Sequence, residues 1–285
     1  MALKQREISK LAVLAGSGGL PHYILEYTKH AGIQTIAVLF KGQSYERSFD
    51  HVEHQQFDFG QIKKISSYLL KHGVTHVVMA GAIKRPSISN LNLDIMGARW
   101  LIKCGGVLLG DDNLLTKIIN IAEQELNVTF IGAHEILPEK SNFTEGYFGK
   151  YRANKTDLED IKRGLDVFKH IGQTDVGQSL VVSDGLVLAI EAIEGTDSML
   201  MRAGQLRPTS KGGVLLKMMK HHQEKRADLP TIGPQTANIL AQQKLNGMVI
   251  DARSMLILDK HKLIELCDRR GIFIYAHNPD NTLKL

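Results

Sequence analysis

The run Leu11-Ala-Val-Leu-Ala15-Gly16-Ser17-Gly18-Gly19-Leu-Pro21 joins five apolar residues to a glycine turn, and His22 to His30 beyond it reads as a helix ending at Gly32. An apolar run, a glycine turn and a helix start make the opening of a β–α unit whose strand is buried on both faces. A glycine just past the last helical residue is a stop signal, because it takes the left-handed conformation without a Cβ penalty. The alternation continues: Thr35 to Phe40 reads as strand, Gln61 to His72 as helix closed by Gly73, His76 to Ala80 as strand and Leu91 to Cys104 as helix. Asp111 and Asp112 are placed to cap a helix from Asn113 to Leu126, where carboxylates suit the positive end of the dipole. Val128 to Gly132 reads as a fourth strand. Strands alternating with helices predict an α/β chain whose first domain, residues 1–138, is a Rossmann-like parallel sheet.

The rhythm then changes. Residues 139–157 are polar with scattered aromatics and read as a linker; residues 158–285 are expected to form a C-terminal mixed α+β domain carrying the catalytic groups. Leu158 to Gly172 is helical in pattern. Ser179 to Val182 and Leu186 to Ile193 are strand-like and are joined by Ser183-Asp184-Gly185, a strong hairpin signal. After Gly195, Thr196 or Asp197 is placed to cap a short helix through Arg202. Next come the strand Gly213-Val-Leu-Leu216, a polar loop, and a helix from Pro234 to Leu245, with proline suited to its first position. Met248 to Asp251 and Met255 to Leu258 read as short strands, Lys260 to Arg270 as helix, and Ile272 to Ala276 as a last strand.

At 285 residues with 43% hydrophobic and 23% charged residues, the chain has material for one large or two ordinary domains with real cores. No apolar stretch approaches the ~20 residues needed to span a bilayer, and the start lacks the apolar segment of a secretory signal, so a cytoplasmic location is expected. The two cysteines, Cys104 and Cys267, are too few for a disulfide framework or a four-thiolate site and read as packing residues. A formal charge of +5 favours anionic partners such as phosphates, nucleotides or acidic headgroups. No basic block, aromatic–basic ribbon or zinc-finger spacing points to nucleic acid.

The candidate chemistry lies at strand ends. Gly16, Ser17, Gly18 and Gly19 either cradle a phosphate with backbone amides or form a turn needed for packing alone. The loop is no complete dinucleotide fingerprint: Pro21 stands where the third glycine would, and the second strand ends in Phe40-Lys41-Gly42 without an acid for a ribose. Lys84 and Arg85 could clamp a phosphate, the guanidinium suiting bidentate contact, or could be a solvated loop. His134 and Glu135, following a strand, read as structural. Glu191 and Glu194 face opposite ways if extended, so at most one shares a site with Asp197. The polar loop Lys217-Met-Met-Lys220-His-His-Gln-Glu224-Lys-Arg226-Ala-Asp228-Leu-Pro-Thr-Ile-Gly233 holds acids and bases between a strand and a helix start. Its Asp228 precedes Leu-Pro and follows Lys217, Lys220 and Arg226, which would keep it ionised; it is either a cation ligand or water-orienting carboxylate, or a turn residue.

Several segments occur together in one order: Leu14-Ala-Gly-Ser-Gly-Gly-Leu-Pro21, Gly81-Ala-Ile-Lys-Arg-Pro86, Gly110-Asp-Asp112, Gly132-Ala-His-Glu135, Asp175-Val-Gly-Gln178, Glu191-Ala-Ile-Glu-Gly-Thr-Asp197 and Arg226-Ala-Asp-Leu-Pro-Thr-Ile-Gly233. With them the whole chain resembles the UDP-2,3-diacylglucosamine pyrophosphatases of lipid A and lipopolysaccharide biosynthesis, of the type that replaces the calcineurin-like enzyme. The resemblance implies two domains enclosing the substrate. It implies Mg²⁺-dependent hydrolysis to UMP and 2,3-diacylglucosamine 1-phosphate (lipid X), and an essential aspartate at Asp228, which is also the expected metal ligand. With that reaction in view, the residue types of this chain give Asp197 a supporting catalytic role and make Thr196, Lys217, Lys220, Lys84, Arg85 and the Gly16–Gly19 loop the expected substrate-binding groups. The family's Lys-Pro-Gly-Gln-Asp reads Lys220-His221-His222-Gln223-Glu224 here, which leaves the role of Glu224 open. A diacylated substrate is compatible with peripheral contact at the inner membrane, and a homodimer stays open. Two other functions remain: a non-catalytic nucleotide- or lipid-binding protein, and an NAD(P)-dependent oxidoreductase, the latter disfavoured by the missing acid after the second strand.

Overall fold

The computed structural model describes residues 8–83, 91–105, 111–137, 144–171, 176–207, 211–219, 226, 229–253 and 255–281. They fall into two compact units. The first holds the described residues up to 137 together with Arg226; the second holds the rest.

In the first unit, β1 (Leu11–Ala15), β2 (Thr35–Phe40), β3 (His54–Phe57), β4 (His76–Ala80) and β5 (Thr129–Ile131) form a sheet in the order β3-β2-β1-β4-β5. Every pairing is parallel. All of β1 is buried, as a central strand covered on both faces must be. The covering helices are α1 (Leu20–His30), α2 (Ile62–Lys71), α3 (Ile95–Lys103), α4 (Asp111–Leu126) and the short α5 (Ala133–Ile136). On one face Ala12, Leu14, Ile36 and Val38 pack with Ile65 and Leu69 of α2, Trp100 of α3 and Ile119 of α4. The helix expected from Leu91 begins only at Ile95, because Asp94 is its cap and accepts from the Gly97 amide at 2.8 Å. The strand β3 escaped the sequence reading: His-Gln-Gln-Phe is a polar edge strand with no apolar alternation.

The second unit contains β6 (Gly146–Phe148), α6 (Lys155–Ile171), β7 (Ser179–Ser183), β8 (Leu186–Ile190), α7 (Gly195–Leu206), β9 (Val214–Lys217), β10 (Thr231–Ile232), α8 (Pro234–Gln242), β11 (Gly247–Asp251), β12 (Leu256–Ile257), α9 (Lys260–Arg270) and β13 (Phe273–His277). Its main sheet runs β6-β13-β11-β9-β7-β8 and is mixed. The central strands β13, β11 and β9 are parallel, while β6, β7 and β8 pair antiparallel. Leu215, Met248, Ile250 and Ile274 face α7, α8 and α9, where Met199, Leu240 and Leu263 meet them. Leu216, Val249, Phe273 and Tyr275 face Ile161 of α6. Within the stretch read as a linker, residues 146–148 form edge strand β6 and residues 155–157 begin α6. Helix α7 runs past Arg202 to Leu206.

The β7–β8 hairpin turns as its Asp-Gly signal requires, with Asp184 and Gly185 both at positive φ (52° and 77°). Asp160 of α6 holds that turn, accepting from the Gly185 amide at 2.7 Å and the Asp184 amide at 3.2 Å. Cys104 and Cys267 are both free and buried, and burial pushes the Cys267 thiol up to about 12.

Candidate active site

Parallel sheets gather ligands at the carboxyl ends of their strands. In the first unit that edge carries the Gly16–Gly19 loop after β1 and Gly81-Ala82 after β4. The two loops are stitched together. Gly16 donates its amide to the Ala80 carbonyl at 2.8 Å, and Ser17 and Ala82 exchange backbone hydrogen bonds at 2.8 and 3.0 Å. The Ser17 hydroxyl donates to the Ala82 carbonyl at 2.9 Å. The amides of Gly16 and Ser17, offered to a phosphate by the sequence reading, are therefore engaged in this stitch. The glycines at 16 and 81 are required by it: an added Cβ would lie 2.5 Å from the Ala82 oxygen or 2.3 Å from the Ser17 oxygen. Gly18 and Gly19 remain at an open surface, with nothing within 4 Å of where their Cβ atoms would be. Glu135 caps α5, accepting from the Gly132 amide at 2.8 Å, which fits a structural role.

In the second unit each central parallel strand closes on an ionisable residue: β9 on Lys217, β11 on Asp251 and β13 on His277, all buried. Lys217 is one residue out of step, pairing with Ile250, while Asp251 pairs with His277. Strand alternation therefore directs Lys217 to the α7–α9 side, and Asp251 and His277 to the α6 side.

On the α7 side, Lys217 Nζ donates to Thr196 Oγ1 at 2.9 Å, and the Thr196 hydroxyl donates to Glu191 Oε1 at 3.0 Å. Ser179 Oγ lies 3.3 Å from the same hydroxyl. Gly195, at φ +79°, turns the chain so that Thr196 faces back toward Glu191. Neither Thr196 nor Asp197 caps α7, contrary to expectation; the cap position is Glu194, without a side-chain cap. Asp197 accepts from Gln235 Nε2 of α8 at 2.9 Å. Glu194 turns away to Arg202 at 2.5 Å, and this hydrogen bond is the main cause holding its carboxyl below the usual range.

On the α6 side, Asp251 Oδ1 accepts from the Arg253 amide at 2.9 Å, and Arg253 reaches Asp280 at 2.7 Å. His277 Nδ1 lies 3.6 Å from Glu145, whose other oxygen accepts from Asn281 at 2.8 Å. Burial pulls the His277 imidazole down, against the raising influence of Glu145. Asp251 and His277 were not among the residues singled out from sequence, whereas Glu191 was weighed there as a possible neighbour of Asp197. The signal was present, since each central strand is an apolar run closed by a charged or ionisable residue, but it needs the strand order to be seen.

The sequence candidates Lys84, Arg85, Lys220 and Asp228 lie outside the described residues, as do Asp175, His221, His222 and Glu224. Arg226 is described, and its guanidinium donates to Glu123 at 3.0 Å and Asn120 at 3.2 Å on α4. Among the described residues no group of three or more His, Cys, Asp or Glu could hold a metal ion.

Comparison with known proteins bears on both units. Residues 10–140 match the family model of the LpxI N-terminal domain, and residues 144–275 match that of the LpxI C-terminal domain. A curated relative from Caulobacter vibrioides (strain ATCC 19089 / CIP 103742 / CB 15), UDP-2,3-diacylglucosamine pyrophosphatase LpxI, is 35% identical over 277 residues, covering 95% of this chain and 98% of the relative. Among solved structures, the ADP-bound biotin carboxylase domain of a thermophilic 2-oxoglutarate carboxylase matches at 14% identity and a TM-score of 0.23, over 61% of this chain and 46% of that one. The Hydrogenobacter thermophilus biotin carboxylase domain matches at 14% and 0.22, over 70% and 41%. The chain thus spans less than half of those structures, and scores this low carry no argument.

Proposed function

The chain belongs to the LpxI family, and from that premise we propose that it hydrolyses the pyrophosphate bond of UDP-2,3-diacylglucosamine, giving UMP and 2,3-diacylglucosamine 1-phosphate (lipid X) in lipid A biosynthesis. The observation that carries this is the match along nearly the full length of both proteins, so that neither half of the chain is left for another task. The buried ammonium of Lys217, directed by Thr196, supports it: a pyrophosphate needs fixed positive charge against its oxygens, and such charge acts strongly away from water.

In this reading Asp228 orients the attacking water or holds a metal ion, and Asp197, steadied by Gln235, supports it. Lys217, Lys220, Lys84 and Arg85 offset phosphate charge, and Gly18 and Gly19 offer the open part of their loop to the phosphate or sugar end. Water adds to phosphorus, the P–O–P bridge opens, and the bridging oxygen leaves as a phosphate monoester. Mg²⁺ takes oxygen donors and keeps several waters, so it asks few carboxylates of the protein. Among the described residues no three carboxylate, imidazole or thiol groups converge, so Asp228 is the proposed ligand of such a largely hydrated ion. Bound there, Mg²⁺ would neutralise charge on the pyrophosphate. No described helix is long and apolar enough to cross a membrane. A diacylated substrate favours peripheral contact with the cytoplasmic face of the inner membrane.

The test is UMP release from UDP-2,3-diacylglucosamine with Mg²⁺ and with excess chelator. Release in Mg²⁺ alone supports the whole reading; equal release in chelator removes the metal; binding without release removes the enzyme.

A further inference from the structure

Lys217 is only 5% exposed, and a buried ammonium needs partners that fix its charge and its direction. Its Nζ donates to Thr196 Oγ1. A hydroxyl has one proton and two acceptor positions, whereas an ionised carboxylate only accepts. Glu191 Oε1 therefore takes the Thr196 proton, at 3.0 Å, and this turns the lone pairs of Thr196 toward Lys217 and Ser179. Glu191 is itself firmly held. Its amide donates to the Ser179 carbonyl at 2.8 Å. Gly177 packs so closely on it that an added Cβ would lie 2.0 Å from the Glu191 carbonyl oxygen. Its side chain is 7% exposed, and Oε2 is buried with no hydrogen-bond partner. A buried carboxylate oxygen left this way costs stability, and Glu191 caps no helix in return. What it supplies is a negative charge and an acceptor beside a buried cation.

We propose that Glu191 is a positioning residue for the pyrophosphatase reaction: through the Thr196 hydroxyl it aims the Lys217 ammonium at the phosphate oxygens and balances its charge before substrate arrives. This rests on the pyrophosphatase reading. Glu191 touches no reacting atom and acts through Thr196 and Lys217.

The relay predicts coupling rather than independent losses. Thr196→Val keeps the shape and removes the hydroxyl; Glu191→Gln keeps the shape and removes the charge. Each should lower kcat/KM on the order of tenfold, and the double variant should be no worse than the weaker single. In a Lys217→Met background, Glu191→Gln should change kcat/KM no further. Thr196→Ser, which restores the hydroxyl, should recover most of the loss. Thermal unfolding of each variant separates these effects from misfolding. Multiplying losses, or full activity in Glu191→Gln, would overturn the proposal. A second readout is independent of turnover: proton exchange from the Lys217 ammonium, followed by nitrogen-15 NMR. It should be slow in the wild type and about tenfold faster in Thr196→Val and Glu191→Gln. Unchanged exchange would overturn the relay, whereas wild-type protein that shows the relay but releases no UMP would overturn the pyrophosphatase reading alone.

Discussion

Gly81 sits at φ +85° with the Ser17 carbonyl oxygen 2.3 Å from where a Cβ would be. Both the backbone conformation and the close approach exclude a side chain, so Gly81→Ala should cost about 2 kcal/mol or more. Urea unfolding measures this, and an unchanged midpoint would contradict the stitch between the two loops. The same contact shows what one sequence can and cannot tell. Gly16-Ser17-Gly18-Gly19 was legible as a tight turn entering a helix, and was so placed. That Gly16 and Ser17 would give their amides to Ala80 and Ala82 was not legible, because the hydroxyl of Ser17 meets a partner 65 residues away. Thr196 and Lys217 were singled out separately and prove to be hydrogen-bonded. The alternation argument treated Glu191 and Glu194 as extended, whereas β8 ends at Ile190; Glu191 meets Lys217 through Thr196 and Glu194 pairs with Arg202.

Helices α3 and α4 are joined through Glu125, which accepts from Lys103 at 2.5 Å, Arg99 at 2.8 Å and the Trp100 indole at 2.9 Å. These hydrogen bonds, Lys103 first, hold its carboxyl down to about 2. Above about 4.5 the carboxylate is ionised in folded and unfolded chains alike, and the contribution to stability is whole. As pH falls from there toward about 2, the unfolded chain takes up a proton that the folded one resists, and the contribution is lost. Arg99 and Lys103 are largely solvent-exposed and screened, so Glu125→Gln should cost about 1 kcal/mol at neutral pH. Below about pH 2 it should cost little, and denaturant unfolding at neutral and acid pH checks it; a cost that persists undiminished in acid would contradict the pairing. At this scale most long elements were legible, since apolar runs, glycine stops and the Asp184-Gly185 turn are local signals. The edge strands β3 and β6 were not, being short and half-exposed, with pairing supplied by the sheet they join. The carboxylate of Asp160 that fixes the hairpin was equally hidden, lying 24 to 25 residues from the amides it accepts from.

The two larger sheets are built by one rule. Five parallel strands in one unit, and three parallel strands at the centre of the other, bring polar groups to their carboxyl ends. The family extends over both units. The ordered motifs carried the function because each is a short local pattern that is read without knowing the fold. The strand-end groups were less legible: that Lys217, Asp251 and His277 close three adjacent strands, the lysine on one face of the sheet and the other two on the opposite face, shows only through strand order. Asp228→Ala should abolish turnover while leaving thermal stability and substrate binding close to wild type; a variant with near-normal hydrolysis would remove Asp228 from the mechanism. The most direct test of the account is UMP release by the purified protein from UDP-2,3-diacylglucosamine, in Mg²⁺ and in excess chelator. The account predicts UMP and the diacylated sugar 1-phosphate in equal amounts with Mg²⁺ and neither with chelator. Substrate bound without UMP release under both conditions would contradict it.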